Sequence, residues 1–199
     1  MTDYDFRSLP AKAIHIAENT IEALRAPCEP LVRHYQLHIF GDAITVGEDE
    51  YLIGRRYGRR KSPVLFEQPG TGYAPALYCF SLRNLEDARR VRESRRQLDG
   101  TVLDRKLPED NSEHELSTCL YVGSSVSRNS AVAARLCQHI GFTGGNGTYA
   151  LYLNRLPLRE PLTLHLSVAW YPGSTSEFVQ RLEEAMWDDQ APLFGRRGR

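Results

Sequence analysis

The sequence has little cysteine, no net charge and no long apolar run, and each of these absences excludes a class of protein. Its four cysteines, at positions 28, 79, 119 and 137, include no CxxC pair, which excludes a zinc knuckle and a secreted disulfide framework. We therefore expect reduced, mostly buried thiols. No segment is long and apolar enough to cross a bilayer, and the first residues lack the basic and apolar regions expected of a secretory leader. We expect a cytoplasmic protein that does not bind membranes.

The charge balance excludes a protein that attracts nucleic acid through its overall field. Lys plus Arg and Asp plus Glu both number 25, so any site for a polyanion has to be local. A chain of 199 residues is long enough for one domain with a sizeable core, or for a core with one appendage.

Residues 1–72 are predicted to form an N-terminal α+β appendage that recognises DNA or a partner. Helical spacing of apolar residues predicts a helix over residues 8–26, and three short β-like runs follow between residues 37 and 53. A cationic segment comes next, and it is either a nucleic-acid-binding loop or a solvated surface turn. Its predicted nucleic-acid-binding residues are Arg55, Arg56, Arg59, Arg60 and Lys61.

Residues 73–199 are predicted to form an α/β domain with three strands and three helices. The strands are expected over residues 76–82, 118–123 and 162–168. An insert over residues 83–117 contains a helix capped by Asn84, whose many arginines either follow a nucleic-acid backbone or form a solvated face. A second helix covers residues 127–140 and ends at Gly141, and a third begins with a capping box at Ser174 and ends before Pro192.

Tyrosines, an arginine, a histidine and a glutamate occur at intervals along these elements. They form the motifs Leu77-Tyr-Cys79, Tyr121-Val-Gly-Ser-Ser125, Arg135-Leu-Cys-Gln-His139, Leu182-Glu-Glu-Ala-Met-Trp187 and Pro192-Leu-Phe-Gly195. The order of these motifs resembles that of the GIY-YIG nuclease family over residues 76–195, although the insert is longer than usual and Ala76 and Gly195 replace common family residues.

The resemblance implies a small central sheet of three strands, mixed or antiparallel, flanked by helices, and a Mg²⁺-dependent endonuclease that cuts DNA to a 5′-phosphate and a 3′-hydroxyl. Glu183 would be the metal ligand, with Mn²⁺ as a substitute, and Arg135 would hold the transition-state oxygens. Tyr78 would act as general base, with nearby cations favouring its ionised form. Tyr121 would orient the nucleophile, and His139 would assist proton transfer.

The helical projection supports Glu183 instead of Glu184 as the metal ligand. At about 100° per residue, Glu183 falls at the edge of the apolar arc of its helix, whereas Glu184 points nearly opposite. Ser124 and Ser125 are further candidates for nucleic-acid contacts. The C-terminal Arg196-Arg-Gly-Arg199 either touches DNA or is disordered.

Several alternatives remain open at the sequence level. The chain could keep the fold as a non-catalytic nucleic-acid-binding protein, or act on RNA instead of DNA. A restriction or defence role suits a nuclease of this size, and repair or mobile-element roles are the alternatives. Cutting both strands would need two active sites, so we expect a homodimer.

Overall fold

A five-stranded antiparallel sheet organises the part of the chain that a computed structural model describes. The described residues are 14–15, 17–19, 21–22, 29–40, 43–46, 66, 68, 73–98, 107–127, 132–142 and 149–198. The strands are β1 Leu31–Phe40, β2 Ala43–Val46, β3 Ala76–Leu82, β4 Cys119–Ser125 and β5 Leu162–Trp170, in the order β2-β1-β5-β3-β4. The helices are α1 Leu85–Leu98, α2 Val132–Ile140 and α3 Ser176–Gln190, with a 3₁₀ turn at Leu153–Arg155.

The sheet contains two more strands than the three predicted, and this prediction was wrong. β1 pairs with β5 from Leu31 opposite Trp170 to Ile39 opposite Leu162, so strands expected in an appendage extend the central sheet. Alternation of apolar and polar residues is clear in β5, but sequence periodicity does not reveal which strands become neighbours. The predicted run at residues 50–53 and the cationic segment at residues 55–61 lie outside the described residues.

The predicted helices begin and end with recognisable capping residues. The Asn84 side chain accepts a hydrogen bond from the Asp87 amide at 2.9 Å, as expected for the cap of α1. Gly141, with φ 103°, follows α2, and the amides of Gly141 and Phe142 close a Schellman motif on the carbonyls of Gln138 and Cys137. Helix α3 is capped by Thr175 instead of the predicted Ser174, because the Thr175 hydroxyl accepts from the Phe178 amide at 3.1 Å.

The core has two layers because β3, an inner strand of the sheet, is buried on both faces. Tyr78 and Phe80 face the larger layer, which includes residues of α1 and α2. Leu77 and Cys79 face a smaller layer beneath α3, together with Phe178 and three other buried side chains. Cys79, Cys119 and Cys137 are buried free thiols, as predicted for the described cysteines.

A β-bulge changes the direction of Tyr121 on the edge strand β4. Phe80 pairs with Tyr121, but the next residue, Ser81, pairs with Cys119, so Leu120 is an extra residue in β4. Such a bulge alters the alternation of side chains along a strand. Leu120 and Tyr121 consequently both pack on the larger core layer, while Cys119 packs on the layer beneath α3.

The segment after α3, residues 192–195, lies between β4 and the insert. The Leu193 and Phe194 amides donate to the Cys119 and Leu120 carbonyls, at 2.8 and 3.1 Å. On the other side, the Gly195 amide donates to the Glu109 carbonyl at 2.9 Å. This segment therefore joins the insert to the edge strand that carries Tyr121.

Two arginines of α1 hold the later residues of the insert against this helix. Arg92 contacts the Asp110 carboxylate at 3.0 Å and donates to the Asn111 carbonyl at 2.8 Å. Arg95 is buried; it donates to the Pro108 carbonyl at 2.9 Å, and its guanidinium lies 5.7 Å from the centre of the Phe194 ring. These two side chains therefore hold the insert, which neither predicted role for the arginine-rich face anticipated. Within the described ranges, no helix combines the length and apolarity needed to span a membrane.

Candidate functional site

Two tyrosines and a histidine from three elements form a buried ring cluster. Tyr78 of β3 and Tyr121 of β4 are stacked, with ring centres 6.3 Å apart and planes inclined by 18°. His139 of α2 contacts both: its ring centre lies 4.5 Å from that of Tyr121, and its Nε2 is 3.0 Å from the Tyr78 hydroxyl. Tyr78 and His139 are almost completely buried, at 1% and 0% exposure.

The hydrogen bonds of His139 assign its tautomer. The Leu151 amide donates to His139 Nδ1 at 3.3 Å, so Nδ1 is an acceptor. In the neutral ring, Nε2 then carries the proton and donates to the Tyr78 hydroxyl oxygen. Burial, with a smaller effect from Arg135, lowers the pKa of His139 well below its ordinary range, so the ring is neutral at physiological pH. His139 therefore acts as a fixed hydrogen-bond donor.

Gly123 allows the tyrosines to pack closely against β4. A Cβ atom at this position would lie 2.6 Å from the Tyr78 hydroxyl oxygen and 2.8 Å from Cε1 of Tyr121. Both separations are shorter than a van der Waals contact, so no side chain larger than hydrogen fits without displacing a tyrosine. The glycine of the predicted Tyr121-Val-Gly123 motif thus has a steric function in this site.

Arg135 lies beside the ring cluster, and its guanidinium is held in place by two hydrogen bonds. It donates to Gln138 Oε1 at 2.9 Å and to the Tyr149 carbonyl at 2.8 Å. Burial raises the pKa of Tyr78 and of Tyr121, and the positive charge of Arg135 opposes this rise at both phenols. Burial has the larger effect, while Arg135 acts in the predicted direction on the pKa of Tyr78.

Glu183 approaches the site from the α3 side of β4. Ser124 donates a hydrogen bond to Glu183 Oε2 at 2.5 Å. Burial raises the pKa of Glu183, while the Ser124 hydrogen bond and Arg135 oppose that rise. The negative charge of Glu183 in turn contributes to the raised pKa of both tyrosines, so the carboxylate is within electrostatic range of all three residues.

A cleft of about 290 Å³ opens in front of Tyr121 and Arg135. Its other walls come from the insert, the segment after α3 and the stretch that precedes the 3₁₀ turn. These walls consist of Leu107, Pro108, Glu109, Tyr149, Gly195 and Arg196. The cleft thus places the ring cluster beside a space large enough for a phosphodiester group.

Three comparisons of the chain with known proteins, against family models, curated proteins and solved structures, give no match. The function therefore has to be argued from the site itself.

The structure brings the five predicted catalytic side chains into one region. Tyr78, Tyr121 and His139 are in contact, and the charges of Arg135 and Glu183 both act on the two phenols. They occupy both sides of the edge strand, and the cleft is lined by only two of them, Tyr121 and Arg135.

Of the predicted nucleic-acid-binding residues, the structure describes only Ser124 and Ser125. Ser124 donates to Glu183, and Ser125 is buried, with 8% exposure. The cationic residues Arg55, Arg56, Arg59, Arg60 and Lys61 lie outside the described residues. Sequence reasoning missed Glu109 and Tyr149 as cleft residues, because their proximity to Tyr121 and Arg135 depends on tertiary contacts between residues far apart in the sequence.

Glu183 is the residue in this region best suited to hold Mg²⁺. Oε2 is occupied by Ser124, while Oε1 has no hydrogen-bond partner among the described residues. Mg²⁺ is commonly held by one or two carboxylates, with water and phosphate oxygens completing its shell. Within the described part of the chain, no three His, Cys, Asp or Glu side chains group as metal ligands, so a metal here would depend on Glu183, water and substrate.

Proposed function

We propose that this chain is a Mg²⁺-dependent endonuclease that hydrolyses DNA phosphodiester bonds to a 5′-phosphate and a 3′-hydroxyl. The observation that carries the proposal is the position of one cation, Arg135, and one carboxylate, Glu183, within electrostatic range of a stacked pair of phenols beside a cleft. Phosphodiester hydrolysis needs positive charge near the phosphate and a group that accepts the proton of the attacking water. The site contains residues suited to both tasks.

Arg135 and Glu183 supply the charges that the reaction needs. The Arg135 fork is charged at every relevant pH and would bind two non-bridging phosphate oxygens. Glu183 would hold Mg²⁺, and the bound ion would neutralise charge on the phosphate and on the departing oxygen. The raised pKa of Glu183 reflects burial of a carboxyl group, and a nearby cation would favour its ionised form.

Tyr78 would accept the proton of the attacking water as a phenolate. His139 Nε2 donates to its oxygen, and a donor in that position stabilises the ionised form. Burial has the opposite effect and raises the pKa of Tyr78, so the phenol is protonated at neutral pH. Tyr121, stacked on Tyr78 and lining the cleft, would orient the water.

The proposal is tested by incubating the protein with supercoiled plasmid and Mg²⁺. We expect nicking by the wild type, and a loss of about 10²-fold or more in Arg135→Ala and Glu183→Ala, as for other groups that stabilise transition-state charge. Glu184→Ala is the matched control, because Glu184 neighbours Glu183 but pairs with Arg181 at 2.8 Å. Chelation of the metal should abolish nicking.

Three results would replace this proposal with another function. Retention of DNA without nicking, with or without Mg²⁺, would favour the non-catalytic binding protein. Preferential cleavage of RNA in a competition assay would favour an RNA-directed nuclease. Equal nicking by Glu183→Ala and Glu184→Ala would remove Glu183 from the reaction.

Two further parts of the proposal concern assembly and recognition. We propose that a homodimer supplies the two sites needed for double-strand cutting, and that residues 1–72 contribute to recognition of DNA. Sedimentation of the DNA complex tests the first, since a monomer that cuts both strands at once would contradict it.

A further inference from the structure

The cleft in front of Tyr121 has three charged side chains on its walls. Arg135 lies on the α2 side, and Glu109 and Arg196 lie on the opposite wall. The cleft thus has a local excess of one positive charge, whereas the whole chain is neutral. A local excess of this kind attracts an anion where the overall charge cannot.

The backbone fixes the position of Arg196 relative to the ring cluster. Phe194 donates to the Leu120 carbonyl at 3.1 Å, and Gly195 donates to the Glu109 carbonyl at 2.9 Å. Gly195 has φ 113°, and a Cβ atom there would lie 3.1 Å from Cε2 of Tyr121. Arg196 therefore follows directly on a residue held against the Tyr121 ring.

The hydrogen bonds of Arg196 leave most of its guanidinium available. Its Nε donates to Glu109 Oε2 at 2.6 Å, and its two terminal nitrogens have no hydrogen-bond partner among the described residues. The pair is more than half exposed on both sides, at 61% and 55%, so water screens it and it holds the two side chains weakly. A phosphate can therefore replace the Glu109 carboxylate.

The next residue, Arg197, shows the contrasting arrangement. Its Nε and Nη2 both donate to the Asp188 carboxylate, at 2.7 and 2.6 Å, which occupies the guanidinium fork. Arg197 is also absent from the walls of the cleft. Two adjacent arginines of similar exposure thus differ in their location and in their free donors, so Arg197 is a matched control.

We infer that Arg196 binds a phosphate of the DNA backbone in this cleft, and that Glu109 occupies its guanidinium until the phosphate displaces it. This inference rests on the proposed nuclease function, since it names the substrate contact on the wall facing Arg135. Arg196 would hold the strand in register by binding one phosphate, and Glu109 would weaken binding by competing for the same donors. The sequence left open whether this arginine contacts DNA, and the ion pair with Glu109 favours that role.

The experiment measures binding of a fluorescent DNA duplex by anisotropy in EDTA, over a series of salt concentrations. For Arg196→Ala we expect affinity to fall by about 3- to 10-fold near 0.1 M salt, and the slope of log K against log salt to decrease by about one. Arg197→Ala should bind like the wild type. Glu109→Gln, which keeps Arg196 and removes its competitor, should tighten binding by about 2- to 5-fold.

The outcomes separate this inference from the proposed function. If the wild type nicks plasmid with Mg²⁺ but Arg196→Ala and Arg197→Ala have the same affinity and salt slope, the inference is overturned and the nuclease proposal stands. If the wild type neither binds nor nicks DNA, both fail. Weaker binding by Glu109→Gln would also overturn it, and thermal melting of each variant shows whether the fold is intact.

Discussion

The two sides of the edge strand β4 differ in how their functional residues are held. On one side, ring packs against ring among Tyr78, Tyr121 and His139, and the Tyr78 hydroxyl is hydrogen-bonded to a neutral imidazole. On the other side, Glu183 is half-buried and hydrogen-bonded to a single serine hydroxyl. The first group is held by shape, and the second by charge and one hydrogen bond.

This difference separates the two properties that the proposed nuclease site would need. Rings without net charge pack into a core at little electrostatic cost, so they can be positioned rigidly. A carboxylate that takes a cation has to stay ionisable, and burial alone opposes ionisation. We therefore expect changes of volume to damage the ring side, and changes of charge to affect the carboxylate side.

The largest effect is expected from Gly123→Ala on the ring side. The added methyl would overlap the Tyr78 hydroxyl and the Tyr121 ring, which should lower the free energy of unfolding by about 1–3 kcal/mol. A shift of the phenols by about 1 Å should reduce nicking by about 100-fold. Denaturant unfolding and the plasmid assay measure the two effects.

Gly173→Ala is the control for that substitution. Gly173 has positive φ, 77°, unlike Gly123, and no atom of the described residues lies within 4 Å of an added Cβ. It should therefore lose only about 1–2 kcal/mol from backbone strain and keep its activity. Similar activity losses in both variants would show that close packing at Gly123 is unimportant.

The second-largest effect is expected from Tyr78→Phe. The substitution leaves the His139 Nε2 proton buried without its acceptor, which should cost about 1–3 kcal/mol of stability. Because burial raises the pKa of Tyr78 above 10, the wild-type nicking rate should increase with pH from about 7 to 9. The variant should lose nearly all activity and show no such increase.

Tyr73→Phe is the control, since Tyr73 is 40% exposed. It should preserve both stability and the pH dependence. A Tyr78→Phe variant that cuts DNA with the wild-type pH profile would exclude the phenol as the base.

Ser124→Ala should have a smaller effect, on the carboxylate side. The Ser124 hydrogen bond opposes the burial-driven rise in the pKa of Glu183, so its loss should raise that pKa further. The acidic limb of the pH–rate profile should then move to higher pH. Ser167→Ala, which removes a side-chain hydrogen bond to His34 instead, should leave the limb unchanged.

Glu183→Gln should have the smallest effect on stability. The sign of the change in melting temperature tests whether burial opposes ionisation on the carboxylate side. Burial raises the pKa of Glu183 in the folded chain above the ordinary 4.5, so the wild type loses stability as pH rises through the folded value. Below pH 4.5 the carboxyl is protonated in both folded and unfolded chains. The melting temperature of the variant should equal that of the wild type at pH 4 and exceed it at pH 8, and a lower value at pH 8 would contradict this account.

Local sequence patterns predicted the elements of the fold better than they predicted which strands pair with each other. The strand predicted over residues 76–82 has the bounds of β3, and Asn84 and Gly141 cap their helices as expected. The pairing of β1 with β5 was missed, because the two strands are separated by more than a hundred residues and nothing in either strand specifies its partner.

The candidate site was predictable where spacing along one element determines position, and unpredictable where it depends on tertiary contacts. Arg135 and His139 share a helix face, so their proximity followed from their spacing. The bulge that turns Tyr121 toward Tyr78 has no comparable signal in the sequence. The same holds for Arg95, whose buried position between Pro108 and Phe194 cannot be read from a run of arginines.

The docking of residues 193 and 194 on β4 has a consequence for the solubility of the folded chain. β4 is the terminal strand of the sheet, and unpaired backbone groups at such a rim can recruit strands from other molecules. Leu193 and Phe194 occupy the outward carbonyls of Cys119 and Leu120. The strand that carries Tyr121 is thereby shielded at this end from self-association into larger sheets, although its side chains stay open to the cleft.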